Sequence, residues 1–307
     1  MKATVAGAPV SFGVFEMTPP DAETLGPDEI LDILADTGYA GVDLGPVGYF
    51  GRGEQLRSRL AGRGLELAGG WVELPFSDDD AFAAALPELD DALAVFSDAA
   101  DLGPSRLPRP TLADGGSVDR KAHPGSGTAP LGEDGWARLA ANAQVAAERV
   151  RAAGFEPTFH HHAGTFVESP EEIDRFLERV DVGLTLDTGH LLLGAGRSIV
   201  DPAEAFRRWG ARVDHLHLKD VDTAALRRVL DAGGDMRVVW SSGAFVAFGR
   251  GDIDLDAFLS AADAAGYDGW VVVEQDVLPA ADTPLDVFRS ERRADHELNR
   301  AALRPWC

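Results

Sequence analysis

The sequence is poor in residues that several chemistries require. Its single cysteine is Cys307, so no intrachain disulfide can form and no thiolate cluster can hold zinc or iron–sulfur. A reducing cytoplasm is the expected setting. Only three lysines occur in 307 residues, Lys2, Lys121 and Lys219, and 28 Lys+Arg face 51 Asp+Glu, a formal charge of −23. That balance repels a phosphate backbone and offers no basic patch, which argues against a nucleic-acid partner. No apolar run approaches the roughly 18–20 residues of a membrane span. The first residues, MKATVAGAPVSFGVFEM, break any apolar stretch with Gly, Pro and Glu, so neither a signal peptide nor a membrane partner is expected. A Gly-x-Gly-x-x-Gly turn, a phosphate-binding Gly-x-x-x-x-Gly-Lys-Ser/Thr loop and a Gly-x-Ser-x-Gly elbow are all missing, which leaves little support for dinucleotide binding, nucleotide-phosphate chemistry or serine hydrolysis.

What is present is an alternation. β-like runs fall at 4–12, 40–46, 65–72, 105–112, 157–163, 182–188, 213–219 and 269–275, and helical patterns follow nearly every one. The run at 105–112 is the weakest, because it contains Pro108 and Pro110. Helix signals are local: Pro27 opens 27–38 and Gly38 closes it, Ser169 caps an acidic first turn, and Gly103, Gly154 and Gly266 end three others. Eight such units in about 300 residues predict an α/β fold, a (β/α)8 TIM barrel spanning 1–307 as one domain. Two βα connections are long, 113–132 and 220–253. On a barrel both lie over the C-terminal face, as lids or binding segments. For 113–132 a disordered surface insertion is the other reading.

Six of the eight histidines, His160, His161, His162, His190, His215 and His217, fall within 58 residues, on or just after three consecutive predicted strands. Strand parity puts His160 and His162 on one face and His161 on the other, while His215 and His217 share a face. Asp187 closes the alternation LTLD, and Glu274 closes an apolar strand. Taken singly, each has an ordinary explanation: a buried His is usually hydrogen-bonded in the core, Asp187 can cap the next helix, and Glu274 can pair with an arginine. Taken together, strands five to eight each present His or carboxylate at one rim, which favours a metal site. Nitrogen and oxygen donors without thiolate suit one divalent cation, with Mn2+ or Co2+ ahead of Zn2+, Fe2+ or Mg2+. Lys219 can meet a substrate oxygen, act as acid/base or pair with Asp220; Arg250 can contact substrate or fix its loop.

The ordered motifs LTLDTGH, HLHLKD and VVVEQD resemble those of the xylose-isomerase-like barrels, a family of divalent-metal sugar isomerases and epimerases. HHHAGTFVESPEEID and GAFVAFGRGDIDLDAF are most similar to its inosose dehydratase branch. The likeness is good over roughly 155–276 and loose over the first 50 residues. It implies metal ligands at Asp187, His217 and Glu274, with His160 where the isomerases and epimerases usually have Glu. That departure puts a symmetric two-glutamate mechanism in doubt, so His162, His190, Glu168 or Lys219 has to supply the second proton-transfer group. His162 and Arg250 are expected to meet substrate. GVFEMT and GVDLGPVGYFG also depart from the dehydratase pattern. The expected activity is isomerisation or epimerisation of a polyhydroxy ketone or aldehyde, a sugar or cyclitol, with Glu274 taking the proton α to the carbonyl. Dehydration of an inosose is the alternative, and a non-catalytic metal-binding scaffold or a metal-dependent endonuclease the remaining rivals. A homodimer or tetramer is compatible with the family.

Overall fold

The computed structural model describes residues 1–18, 22–103, 106–279 and 283–307. Eight parallel strands close on themselves in chain order: Thr4–Gly7, Gly41–Asp43, Glu66–Leu74, Arg109–Asp114, Thr158–His160, Gly183–Asp187, Val213–Leu218 and Trp270–Val273. Thr4 pairs with Trp270 and Gly7 with Val273, which seals the first strand to the last. This is the expected (β/α)8 barrel. Each expected run contains a strand; six strands stop short of the expected C-terminal end, while Glu66–Leu74 and Arg109–Asp114 run two residues past it. The first stops at Gly7 because Pro9 cannot donate to a ladder, and Pro9–Phe12 forms a 3-10 turn instead. The fourth strand starts at Arg109 and accommodates Pro110; Ser105 lies outside the described residues. Helices Gly53–Ala61, Pro202–Trp209 and Leu285–Leu303, which the sequence reading did not specify, complete the outer ring.

Local chemistry explains the helices it predicted. Pro27 begins Pro27–Asp36, whose Ile30, Leu31, Ile33 and Leu34 face the barrel, and Ser169 accepts from the Glu172 amide at the start of Pro170–Leu177. The main apolar core lies between strands and helices. The lumen is different. Trp270 and the small residues Ala6, Ala68 and Val272 plug its lower half. A Cβ on Gly41 would sit 2.8 Å from the Trp270 ring, and one on Gly69 3.0 Å from Asp43 Oδ1 and 3.1 Å from His215 Cε1. Glycine at these two strand positions makes room for an indole and for a carboxylate–imidazole pair in the lumen.

Both long connections are folded. Residues 113–132 hold the helix Val118–Ala122, and residues 220–253 hold the helices Thr223–Asp231 and Met236–Ser241 with a two-stranded arm, Asp220–Val221 on Phe245–Val246. The first connection is anchored by Glu168. Its carboxylate accepts from the amides of Gly125 (3.0 Å), Gly127 (3.2 Å) and Gly164 (2.8 Å) and from Arg120 (2.9 Å), with both charged side chains fully buried. Glu168→Gln leaves the buried guanidinium without its full counter-charge, so a loss of about 3 kcal/mol is expected in urea unfolding. A loss under 1 kcal/mol would show that Glu168 does not hold this connection.

Candidate active site

The C-terminal ends of the strands supply a cluster of ionisable groups. Asp187 ends the sixth strand and divides its two oxygens. Oδ1 accepts from the His190 amide (2.8 Å) and so caps the helix Thr188–Gly194, while Oδ2 faces the barrel axis. There Oδ2 lies 3.3 Å from His160 Nε2 and 3.8 Å from His217 Nδ1. Glu274 follows the eighth strand, with Oε2 2.9 Å from His217 Nδ1. The Lys219 ammonium sits among the acids, donating to Asp187 (2.5 Å) and Glu274 (2.6 Å) and lying 3.2 Å from Asp276 Oδ1. His190 Nε2 contacts Asp276 Oδ2 at 3.1 Å, and its ring packs 3.6 Å, centroid to centroid, from that of His162. All of these side chains line a cavity of about 1040 Å³, except Asp187, which lies beneath its floor.

Burial and charge set the protonation states. Burial alone drives an imidazole toward neutrality, and His160, His162, His190 and His215 are all pushed down in this way. His217 is the exception: burial opposes its charge, but Glu274 and Asp43 outweigh it and raise its pKa to about 10. Burial raises Glu274, and His217 and Lys219 overturn that, holding it below the usual carboxylate range. Asp187 is also held well down, chiefly by Lys219 against the same burial. Asp276 goes the other way, to about 7, because burial prevails over Lys219 and neighbouring carboxylates add to it.

The model of the xylose isomerase-like TIM barrel family matches residues 17–295. The chain belongs to this family. An inosose dehydratase of Geobacillus kaustophilus is 31% identical over 265 residues, covering 84% of this chain and 82% of its own. Among solved structures, the fold is similar to IOLI protein with a bound zinc atom (TM-score 0.68, 14% identity, 98% of this chain and 97% of that one). It is similar too to a D-allulose 3-epimerase from Methylomonas sp. in complex with D-allulose (TM-score 0.67, 16% identity, 100% and 98%).

A xylose isomerase-like barrel implies a divalent cation, and the donors here fit one. His160, Asp187 and His217 bring one ligand atom each to within 4.8 Å of one another, and Glu274 Oε2 lies beside them. Neither ring nitrogen of buried His217 makes a hydrogen bond, and its Nδ1 is aimed between Asp187 and Glu274. The two acids already attract a positive charge, in the form of Lys219.

Of the residues expected at the site, His160, His162, His190, His217, Lys219 and Glu274 line the cavity, with Asp187 beneath. His161 points away on the opposite face, where its Nε2 accepts from the Asp187 amide. Two expected residues are elsewhere. Glu168 anchors the 113–132 connection, and Arg250 pairs with Asp295 (3.1 Å) outside the cavity lining. Lys219 does not pair with Asp220, whose carboxylate instead accepts from the amides of Gly249, Gly251 and Ile253.

Three site residues went unrecognised: Asp43, Asp276 and Trp71. Asp43 closes the second strand, with Oδ2 3.4 Å from His217 Nε2 and Oδ1 3.9 Å from His215 Nε2. A strand-end acid in GVDLG was the available signal. Asp276 stood in the quoted EQD, and Trp71 gave none; its indole meets His160 and His162 edge-on.

Two outcomes are expected. For Nδ1 to bind a cation, His217 would carry its proton on Nε2, which faces Asp43 Oδ2 at 3.4 Å. Asp43→Asn should therefore weaken Mn2+ binding about 10- to 100-fold in chelator competition; parental affinity would show that Asp43 does not orient His217. Ligation also requires neutral His217, which at pH 8 is protonated without metal, given its pKa near 10. Calorimetry of Mn2+ binding in buffers of different ionisation enthalpy should show about one proton released per ion, falling toward zero above pH 10.

Proposed function

We propose that this protein is a divalent-metal-dependent lyase that dehydrates a keto-polyol of the inosose type. The observation that carries it is the asymmetry of the cavity floor. Epimerisation at one carbon calls for matched acid/base groups, and here the groups at the floor are unlike: a carboxylate, Glu274, and a His190–Asp276 pair, with both acids in contact with Lys219. Dehydration uses two unlike groups: a base for the proton α to the carbonyl and an acid for the departing β-hydroxyl. The similarity to inosose dehydratase supports the same order. Dehydration thus moves ahead of isomerisation or epimerisation, the reverse of the expectation from sequence.

In this reading the α C–H bond breaks toward Glu274. Its Oε2 is engaged by His217 and Lys219, and its Oε1 accepts no hydrogen bond among the described residues. His160, Asp187, His217 and Glu274 would hold the cation, which when bound would supply Lewis-acid polarisation of a carbonyl. Asp276 fixes His190 through Nε2, and the buried Nδ1 of His190 has no partner. That nitrogen donates its proton to the departing β-hydroxyl, while the Asp276 carboxyl, held at a pKa of about 7, passes its own proton to Nε2. His190 thus stays neutral, Asp276 becomes a carboxylate, and the β C–O bond breaks to give water and an enol, which tautomerises to the dione. Lys219, held well above its ordinary pKa by Asp187, Asp276 and Glu274 despite burial, stays an ammonium and keeps the carboxylates from repelling one another.

The test is NMR in D2O of Mn2+-loaded protein with inososes, ketoses and aldoses. Formation of a dione from an inosose, with loss of water, is expected. His190→Ala should lower kcat by about 100-fold or more while the α-proton still exchanges, because removal of the acid leaves the base in place. Deuterium wash-in with a rearranged sugar and no dione would return the protein to the isomerases and epimerases. No exchange with any ketone, despite bound metal, would contradict the enolising mechanism altogether.

A further inference from the structure

The cavity is larger than its reacting floor requires. Small-molecule sites run from about 300 to 1,000 Å³. A single-ring polyol needs the low end of that range, and this cavity, at about 1040 Å³, lies at its top. The reacting groups sit at the floor, and charged residues such as Glu16, Glu88, Asp91 and Arg237 also border the cavity. Apolar side chains from separate connections also line it: Phe15 and Met17 after the first strand, Val47 after the second, Val118 after the fourth and Trp240 in the 220–253 arm. Phe15 and Trp240 meet edge to face at 5.1 Å, forming one aromatic wall. Met17, Val47 and Val118 are among the few large apolar side chains that are exposed. Their clustering at one mouth marks a binding surface, since exposed apolar residues scattered singly would need no explanation. Several of the bordering charged groups are engaged within the protein: Lys121 pairs with Glu73 at 3.4 Å, Asp91 with Arg52 at 2.7 Å, and Asp235 caps the helix Met236–Ser241. Two of the wall-forming segments, GVFEMT and GVDLGPVGYFG, are those whose sequences depart from the dehydratase pattern.

We infer that the outer half of the cavity receives an apolar, aromatic-sized substituent carried on the polyol, so that the substrate is a substituted keto-polyol, an ether or glycoside, and not a free inosose. This rests on the dehydratase reading for the chemistry at the floor, and not for the binding of the substituent. The floor holds the ring against Glu274 and His190, and the substituent extends between Trp240 and Val47. Burying one aryl group there is expected to raise kcat/KM at least about tenfold, after the cost of ordering it.

The experiment compares free inosose with a panel of its mono-O-benzyl ethers on the Mn2+-loaded protein. In parallel, tryptophan fluorescence follows binding of inositol and of mono-O-benzyl inositols, which cannot react. At least one benzyl regioisomer should exceed free inosose about tenfold in kcat/KM, and the matching inositol ether should bind more tightly by a similar factor. Trp240→Ala should bring the ratio of substituted to free substrate near one. Val47→Asp, at an exposed position that does not threaten folding, should do the same. Turnover of free inosose with no benzyl ether preferred, and no tighter binding, would overturn the inference while leaving the dehydratase reading intact. A binding gain with no ketone dehydrated would sustain the inference and remove the dehydratase reading. An oligomer that Val47→Asp dissociates, with the substrate ratio unchanged, would assign the mouth to a second copy of the chain and overturn it too.

Discussion

The organisation of this site follows from three buried carboxylates that share one ammonium. Asp187, Glu274 and Asp276 all lie within 3.2 Å of Lys219 Nζ, in a region where an unpaired charge is expensive. Their mutual repulsion would expel one proton-free acid after another were the lysine absent. With it present, Asp187 and Glu274 stay ionised and Asp276, the most distant of the three, is left poised near neutrality. The imidazoles around them are neutral through burial, except His217, which Glu274 and Asp43 charge. Ionised oxygen and the neutral nitrogen of His160 are therefore prepared by the protein before any ion arrives, whereas His217 has to lose a proton first.

The barrel makes this charge cluster tolerable. The participating residues sit at or just past the ends of the second, fifth, sixth, seventh and eighth strands, so the backbone below is saturated by parallel pairing and side chains meet at the axis. Asp187 shows how one residue serves both layers, with one oxygen capping the start of a helix and the other facing His160 Nε2. Lower in the lumen, glycines at 41 and 69 admit Trp270 and the Asp43–His215 pair, so His217 is supported from beneath as well as from the side.

Much of this was legible in the sequence because strand parity is rigid. The alternation in HHH put His160 and His162 on one face and His161 on the other, and in the structure the first two line the cavity while His161 bonds the Asp187 amide, although the strand itself ends at His160. Asp187 could be read either as a cap or as a ligand; in the structure it is a cap through Oδ1, and its Oδ2 faces the donor cluster. What sequence could not resolve was distance in space. Glu168 and Arg250 lie in motifs that resemble those of the family, yet one turns outward to clasp glycine amides and the other to meet Asp295. Asp43 and Asp276 were hidden for the opposite reason: short acidic side chains gain meaning only from the imidazoles they face. The cavity walls drawn from four connections could not be assembled from one-dimensional spacing at all.

The central claim is that His160, Asp187, His217 and Glu274 hold one divalent cation in the place that Lys219 now shares. Anomalous diffraction at the manganese edge, from crystals grown with Mn2+, tests it directly. One strong peak among those four side chains, with the Lys219 ammonium moved off Asp187, is the predicted result. A map with no peak there, or with the ion held elsewhere while Lys219 keeps both carboxylates, would contradict the account.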